Sequence, residues 1–330
     1  MHAPSFWWRK GAALGWALAP AGWLYGWFTA RRMRQLGEAA PCPILCVGNF
    51  TLGGSGKTPL ALALGRLAIE KGYKPGYLSR GYGGSTKGPI EVEPGRHSAD
   101  EVGDEPLLLA SVATTVVARD RVAGARLLAE KGANLVIMDD GFQNPSLTKT
   151  VSLVVVDGAR GTGNGFVFPA GPLRAPMSSQ LPFTDGVFVM GEGEPGDALA
   201  ARAGAQGLPV FRGVLRPRGR GEWQNERCLA FAGIGAPERF FRSLEDVGAV
   251  VAARHRFADH HPYSEEDCRR LVAEAERAGL KLVTTEKDAA RLTGRGGARQ
   301  ALYERLTVFP VEADIPEREA LWNWLTERLF

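Results

Sequence analysis

VGNFTLGGSGKTPL, residues 47–60, decides how this chain is read. Gly53, Gly54, Ser55 and Gly56 precede Lys57 and Thr58. In such a loop the backbone N–H groups approach phosphate oxygens, because no Cβ intervenes. Lys57 supplies a fixed positive charge for the β and γ phosphates, and the Thr58 hydroxyl is placed to ligate Mg²⁺. The strict pattern asks for glycine at position 51, where this chain has Thr51. The flanks supply the required order: Ile44 to Val47 is a short apolar run suited to a buried strand, and Leu60 to Ile69 an alanine-rich stretch suited to a helix. The expectation is a loop that binds ATP, against a glycine-rich turn that binds nothing.

Outward from this loop the strand and helix pattern repeats as far as residue 190. Gly76 to Ser79, Thr114 to Ala118, Leu135 to Met138, Val151 to Val156 and Gly186 to Met190 are mostly continuous apolar or β-branched runs. Strands of that kind are covered by helices on both faces of a parallel sheet. Residues 191–228 are rich in Gly, Pro, Arg and Glu and read as a connection, with one or two short strands such as Val210 to Leu215. A second strand and helix series follows, in which Ser264 caps a helix ending near Gly279 and Leu306 to Val311 forms one strand. The fold class expected is α/β: a P-loop doubly wound, mostly parallel sheet with a second, smaller α/β domain. The boundaries expected are an N-terminal helix at 1–34, a kinase-like domain at 35–205 and a second domain at 206–330.

A chain of 330 residues, 45% hydrophobic and 23% charged, is long enough for two folded α/β units. Its net charge of +4 fits an anionic substrate or a membrane surface and is too small to point to nucleic acid. Nothing in the chain calls for an obligate protein partner. Cys42, Cys46, Cys228 and Cys268 form no CxxC pair, as expected of reduced thiols in a cytoplasmic protein.

Five of the eight tryptophans, Trp7, Trp8, Trp16, Trp23 and Trp27, fall in the first 28 residues. Gly11 to Ala30 carries no charge, while Arg9 and Lys10 precede it and Arg31, Arg32 and Arg34 follow. A helix of that length reaches ~30 Å, enough to cross a bilayer. Pro20 and the abundance of Gly and Ala argue for a helix lying in the membrane interface, with rings at headgroup depth and cations on lipid phosphates. A true span and a helix packed on the protein's own core are the alternatives.

Leu135 to Met138 runs straight into Asp139 and Asp140, and a strand ending in carboxylates beside such a loop anchors Mg²⁺. VGDEP (102–106) sets Asp104 and Glu105 at a helix start, where an acid is either a cap or the base that takes a proton from an acceptor hydroxyl. HRFADHH brings together His255, Asp259, His260 and His261, read as metal ligands, as packing residues, or as a source of a histidine that orients a catalytic aspartate. Arg80, Arg119, Arg121 and Arg174 all lie in loops that follow strands, where such sheets place ligands.

VGNFTLGGSGKTP, SRGYGG, VGDEP, DDGFQ, PAGPLR, FAGIGAPERFF, FADHH and TTEKDA, in this order and behind a tryptophan-rich basic helix, resemble the tetraacyldisaccharide 4'-kinases of the lipid A pathway. The resemblance spans nearly the whole chain. It implies transfer of the ATP γ-phosphate to the 4'-hydroxyl of a tetraacylated disaccharide 1-phosphate, for lipopolysaccharide synthesis at the cytoplasmic face of the inner membrane. It also implies that Asp104 is the catalytic base and His260, rather than His261, its partner. Lys57, Thr58, Asp139 and Asp140 then serve the nucleotide and Mg²⁺, with Gln143 a helper. Members commonly carry an acid after PAGPLR, where this chain has Ala175.

Two rivals come from other classes. A regulatory GTPase needs an [NT]KxD segment, but in TTEKDA Lys287 adjoins Asp288 directly. A membrane-associated ATPase without a phosphorylated product leaves Asp104 and the histidines without a chemical task.

Overall fold

The computed structural model describes residues 4–293 and 296–330. The chain opens with α1 (Ala13–Met33), β1 (Ile44–Gly48), α2 (Lys57–Glu70), β2 (Pro75–Ser79) and β3 (Ile90–Glu91). Next come α3 (Ala99–Val102), α4 (Asp104–Leu109), β4 (Thr115–Val117), α5 (Arg121–Glu130), β5 (Leu135–Asp139), β6 (Val151–Asp157), α6 (Met177–Gln180) and β7 (Gly186–Met190). They are followed by α7 (Glu194–Gly204), β8 (Val210–Pro217), β9 (Arg227–Ala232), α8 (Pro237–Asp246), β10 (Val250–Arg256), α9 (Glu265–Ala278) and β11 (Lys281–Thr285). The last elements are α10 (Glu286–Leu292), α11 (Gly297–Arg305), β12 (Leu306–Phe309), β13 (Val311–Asp314) and α12 (Arg318–Leu329).

Nine strands form one sheet in the order β13-β8-β7-β6-β1-β5-β2-β4-β3, parallel except where β3 meets β4 and β13 meets β8. The side-chain period of two splits β1 between two cores. Ile44 and Cys46 face the core closed by α1, α5 and α7, and Leu45 and Val47 face the one closed by α2, α4 and α12. A strand covered on both sides is mostly apolar, which is why these strands read as nearly continuous apolar runs. The doubly wound sheet is therefore as expected, and β1 is its switch point, with β5 on one side and β6 on the other.

A second sheet, β10-β9-β11-β12, is all parallel, with α8 on one face and α9 and α11 on the other. Ser264 caps α9 by accepting the Asp267 N–H at 3.0 Å, and Gly279 ends it in the left-handed region at φ 59°.

Three expectations need correction. Residues 191–228 are not a mere connection, since Glu194–Gly204 is a helix with Pro195 in its first turn, where the missing N–H costs nothing. Leu306 to Val311 is not one strand: it breaks at Pro310, leaving β12 in the small sheet and β13 in the large one. Consequently the chain does not divide into sheets at 205/206. β8, β13 and α12 belong to the large sheet and its core, so the chain passes between the sheets twice, after Pro217 and at Pro310, and Pro217 pairs with Val311 side by side.

In α1, the small residues Gly15, Ala19, Gly22 and Gly26 form one buried face. Gly22 lies so close to the loop beneath that a Cβ there would stand 2.7 Å from the Val167 carbonyl oxygen. Trp16, Trp23, Leu24, Trp27 and Phe28 line the outside and are 57–68% exposed. Among the described residues no helix is long and apolar enough to cross a membrane.

Candidate active site

The phosphate loop leaves β1 and enters α2 through Gly56, which is left-handed at φ 88°. Thr58, 3% exposed, donates its hydroxyl to Asp139 Oδ2 at 3.1 Å. Burial and the charge of Glu105 push the Asp139 carboxyl up to about 7, against the pull of Lys57. Among the described residues Asp139 Oδ1, Ser55 Oγ and Asn49 Oδ1 have no hydrogen-bond partner although they are buried, and no described atom stands within 4 Å of a Cβ built at Gly53 or Gly54. Orphaned oxygens on both sides of an unfilled glycine loop are what a phosphate chain and a hard cation would satisfy. The donor set thus fits ATP with Mg²⁺: Thr58 and Asp139 for the ion, the loop N–H groups and Lys57 for the phosphates.

Asp140 turns the other way, through a left-handed backbone (φ 56°) that aspartate tolerates better than most residues. Arg174 grips it with both ends of the guanidinium, Nη1 to Oδ1 at 2.8 Å and Nη2 to Oδ2 at 2.9 Å, and Lys57 Nζ lies 3.7 Å from Oδ1. Burial would raise its pKa, but Arg174 and Lys57 hold it well below the usual carboxylate range. Arg174 also donates from Nε to the Thr51 carbonyl at 3.1 Å, so it ties the start of the loop to the end of β5. Ala175 beside it is fully buried.

Gln143 is consumed by structure. Its amide donates to the Asn49 carbonyl at 2.7 Å and to Gln180 Oε1 at 2.9 Å. Arg80 is exposed after β2, as is Arg119 ahead of α5. Asp120 caps α5 by accepting the N–H groups of Val122 and Ala123. That turn leaves Arg121 2% exposed, donating to the carbonyls of Ala118 and Ser79. Burial, with Arg80 nearby, draws its guanidinium down to about 10.

Asp104 is the first residue of α4 and 3% exposed. Gly103 precedes it at φ 90°, and a Cβ there would meet the Tyr82 carbonyl oxygen at 2.7 Å, so glycine lets the SRGYGG loop close over VGDEP. His260, left-handed at φ 57°, brings Nδ1 within 3.4 Å of Asp104 Oδ2 from the second sheet, and Tyr82 packs edge-on against its ring. The three histidines of the cluster separate. His255 pairs with Glu274 and His261 with Asp267, both at 3.0 Å, which leaves His260 to reach Asp104. Burial alone would raise the Asp104 pKa; the hydrogen bond from His260 and the charges of Arg291 and Lys287 outweigh it and hold the carboxyl well below its usual range. The same hydrogen bond holds His260 above the ordinary histidine value.

The sequence reading missed two cations of α10. Arg291 donates Nε to Asp104 Oδ2 at 2.8 Å, with Nη2 on the same oxygen, and Lys287 meets Glu105 at 2.5 Å. Their spacing of four in TTEKDAARL puts both on one helix face, a pattern indistinguishable in sequence from a solvated stripe. A third bridge between the sheets joins Arg239 of α8 to Asp157 at the end of β6, at 2.8 Å.

A family model described as tetraacyldisaccharide-1-P 4'-kinase matches residues 14–330. The chain is 57% identical to a tetraacyldisaccharide 4'-kinase of Methylorubrum extorquens strain PA1, covering 90% of this chain and 91% of that one. It is 48% identical to a protein of the same name from Rhodopseudomonas palustris, covering 100% of this chain and 96% of the other. Among solved structures, an LpxK from Aquifex aeolicus in complex with ATP superposes with a TM-score of 0.72 at 23% identity, covering 96% of this chain and all of that one.

Proposed function

The chain belongs to the tetraacyldisaccharide-1-P 4'-kinase family, and from that premise we propose that it moves the γ-phosphate of ATP to the 4'-hydroxyl of a tetraacylated disaccharide 1-phosphate. The observation that carries the mechanism is Asp104, buried at the start of α4 and held by His260 from the loop after β10.

Each residue has a task set by its surroundings. Lys57 places a fixed charge against the β and γ phosphates, and Arg174 competes with it for Asp140, which Lys57 approaches to 3.7 Å. Thr58 and Asp139 would hold Mg²⁺, whose chemistry when bound is to neutralise phosphate charge. Asp104 accepts the 4'-hydroxyl proton while the new O–P bond forms and the bond from γ-phosphorus to the β-bridging oxygen breaks. An alcohol is too weak an acid to ionise beforehand at neutral pH, so the base is needed in the transition state rather than before it. His260, whose pKa is raised by its contact with Asp104, helps to keep that carboxylate ionised and aimed. Closure of the two sheets about the paired Pro217 and Pro310 crossings excludes water that would otherwise hydrolyse ATP.

The acyl chains bring the enzyme to the cytoplasmic face of the inner membrane. Support comes from α1, whose small residues grip the protein while its tryptophans face outward between Arg9 and Lys10 at one end and Arg31, Arg32 and Arg34 at the other. The test of the reaction is transfer of labelled γ-phosphate to the acceptor by the intact protein and by Asp104→Asn. Loss of labelled lipid with ATP binding retained is expected. Turnover within a few-fold of wild type would remove Asp104 from the base role.

A further inference from the structure

Asp104 is not held by His260 alone. Its Oδ2 receives two N–H groups of Arg291 and lies 3.4 Å from His260 Nδ1, while Oδ1 accepts the Glu105 N–H at 2.9 Å. Oδ2 is saturated, and Oδ1 is the oxygen with a lone pair to spare.

Arg291 is itself fixed on the far side. Its Nη1 donates to Asp288 Oδ1 at 2.8 Å and to the Gly233 carbonyl at 2.7 Å. Asp288 is locked in turn by the Tyr263 hydroxyl at 2.8 Å, the Gly233 N–H at 3.0 Å and the Thr285 hydroxyl at 2.6 Å. The Arg291 side chain is 6% exposed and that of Asp288 0%. A guanidinium buried to this degree gains nothing for stability over an apolar filler unless its geometry serves something. Its planar fork suits one carboxylate on each side, which a lysine's single point of charge does not.

Resting on the reading of Asp104 as base, we infer that Arg291 is a positioning residue for phosphoryl transfer. It holds Oδ2 of Asp104 from α10, fixes the orientation of the carboxylate and leaves Oδ1 to take the proton of the acceptor hydroxyl. The base is thereby complete only when the two sheets meet, because its orienting cation and its histidine both come from the second one.

The charges around Asp104 are Glu105 on its own helix, Lys57 at the start of α2, His260 with Asp259 on the loop after β10, and Lys287, Asp288 and Arg291 on α10. Lys287 is taken up by Glu105 and His260 is a third exposed, which leaves Arg291 as the buried cation in direct contact with Asp104. Removing it leaves a buried carboxylate near Asp288 and Glu105 with His260, a third exposed, as the remaining partner of Oδ2. Deprotonating that carboxylate then becomes harder.

The experiment is the pH dependence of kcat at saturating Mg-ATP and acceptor for wild type, Arg291→Gln and Arg291→Lys, with thermal melting of each. Arg291→Gln should lower kcat, leave the KM for ATP unchanged and move the acid limb of kcat upward by about one unit or more. Arg291→Lys should lie between. In an Asp104→Asn background, Arg291→Gln should cost less than about twofold more, since the two act through one group. A folded Arg291→Gln whose acid limb coincides with wild type overturns the inference, as does a full independent loss in the Asp104→Asn background. Should Arg291→Gln fail to fold, Arg291→Lys carries the test: its limb moves the same way by less, and an unmoved limb overturns the proposal. If Asp104→Asn keeps its turnover, the base reading fails and this inference with it. If Asp104→Asn is inactive and the limb still does not move, the Arg291 inference alone fails.

Discussion

Replacing Arg174 by methionine keeps an unbranched apolar stem and removes four donated contacts: two to Asp140, one to Thr51 and one to Gln143 at 3.3 Å. Hydrogen bonds to a charged group contribute about 1.5–3 kcal/mol each when well buried. A third of the Asp140 side chain faces solvent, against 19% for Arg174, so the pair is better valued near ~2 kcal/mol in total. Asp140 is then left with Lys57, already 3.7 Å away, as its nearest cation. Lys57 must break that contact to serve the phosphates, and if the whole ~2 kcal/mol falls on nucleotide binding the KM for ATP rises about thirtyfold. Steady-state kinetics with varied ATP at saturating acceptor measure this directly. Arg174→Lys should fall between, because it restores charge without the fork. An Arg174→Met enzyme with wild-type KM for ATP would refute the idea that Arg174 frees Lys57 for the nucleotide.

Gly22→Leu forces a side chain into the space of the Val167 carbonyl, 2.7 Å from the Cβ position, and should destabilise the docking of α1 by about 1–3 kcal/mol, read as a lower melting temperature; unchanged melting would contradict the packing described. Trp23→Glu with Trp27→Glu, at positions 68% and 57% exposed, should leave melting unchanged and reduce binding to anionic lipid vesicles at least tenfold, and equal binding would sink the membrane role of that face. Because the His260 pKa is raised by Asp104, its contribution to stability is fully present below the ordinary histidine pKa and lost as pH rises through the raised one. Melting curves of wild type and His260→Asn should therefore differ most on the acid side of that window and converge above it; a gap that widens with pH has the wrong sign.

The large sheet was legible because burial on both faces keeps its strands mostly apolar, as in Leu135 to Met138 and, apart from Ser152, Val151 to Val156. The helix Glu194–Gly204 was hidden because it buries only Gly196, Leu199, Ala200 and Ala203, a stripe too thin and too small to register as apolar. The return of β13 and α12 to the first sheet depends on pairing with β8 nearly a hundred residues earlier, and local pattern carries no trace of such pairing. At the site, the loop and Asp139 were legible because their chemistry is contiguous in the chain, whereas Asp140, expected to serve Mg²⁺, is tied to Arg174 instead. Gln143 looked available to substrate, but the amide is taken up by Asn49 and Gln180. Arg291 was invisible because the carboxylate it serves lies 187 residues away.

The central claim is that Asp104 takes the proton of a sugar hydroxyl while the loop at Lys57 holds ATP. The direct measurement follows label from γ-labelled ATP into a detergent-solubilised tetraacyl disaccharide 1-phosphate, with nucleotide binding measured in parallel, for wild type, Lys57→Ala and Asp104→Asn. The account predicts a labelled 4'-phosphate from wild type alone, with nucleotide binding weakened in Lys57→Ala and intact in Asp104→Asn. Loss of general base catalysis is expected to cost about 10²–10⁴ in rate. Labelled lipid formed by Asp104→Asn at near wild-type rate, or ATP consumed by wild type with no labelled lipid, would contradict it.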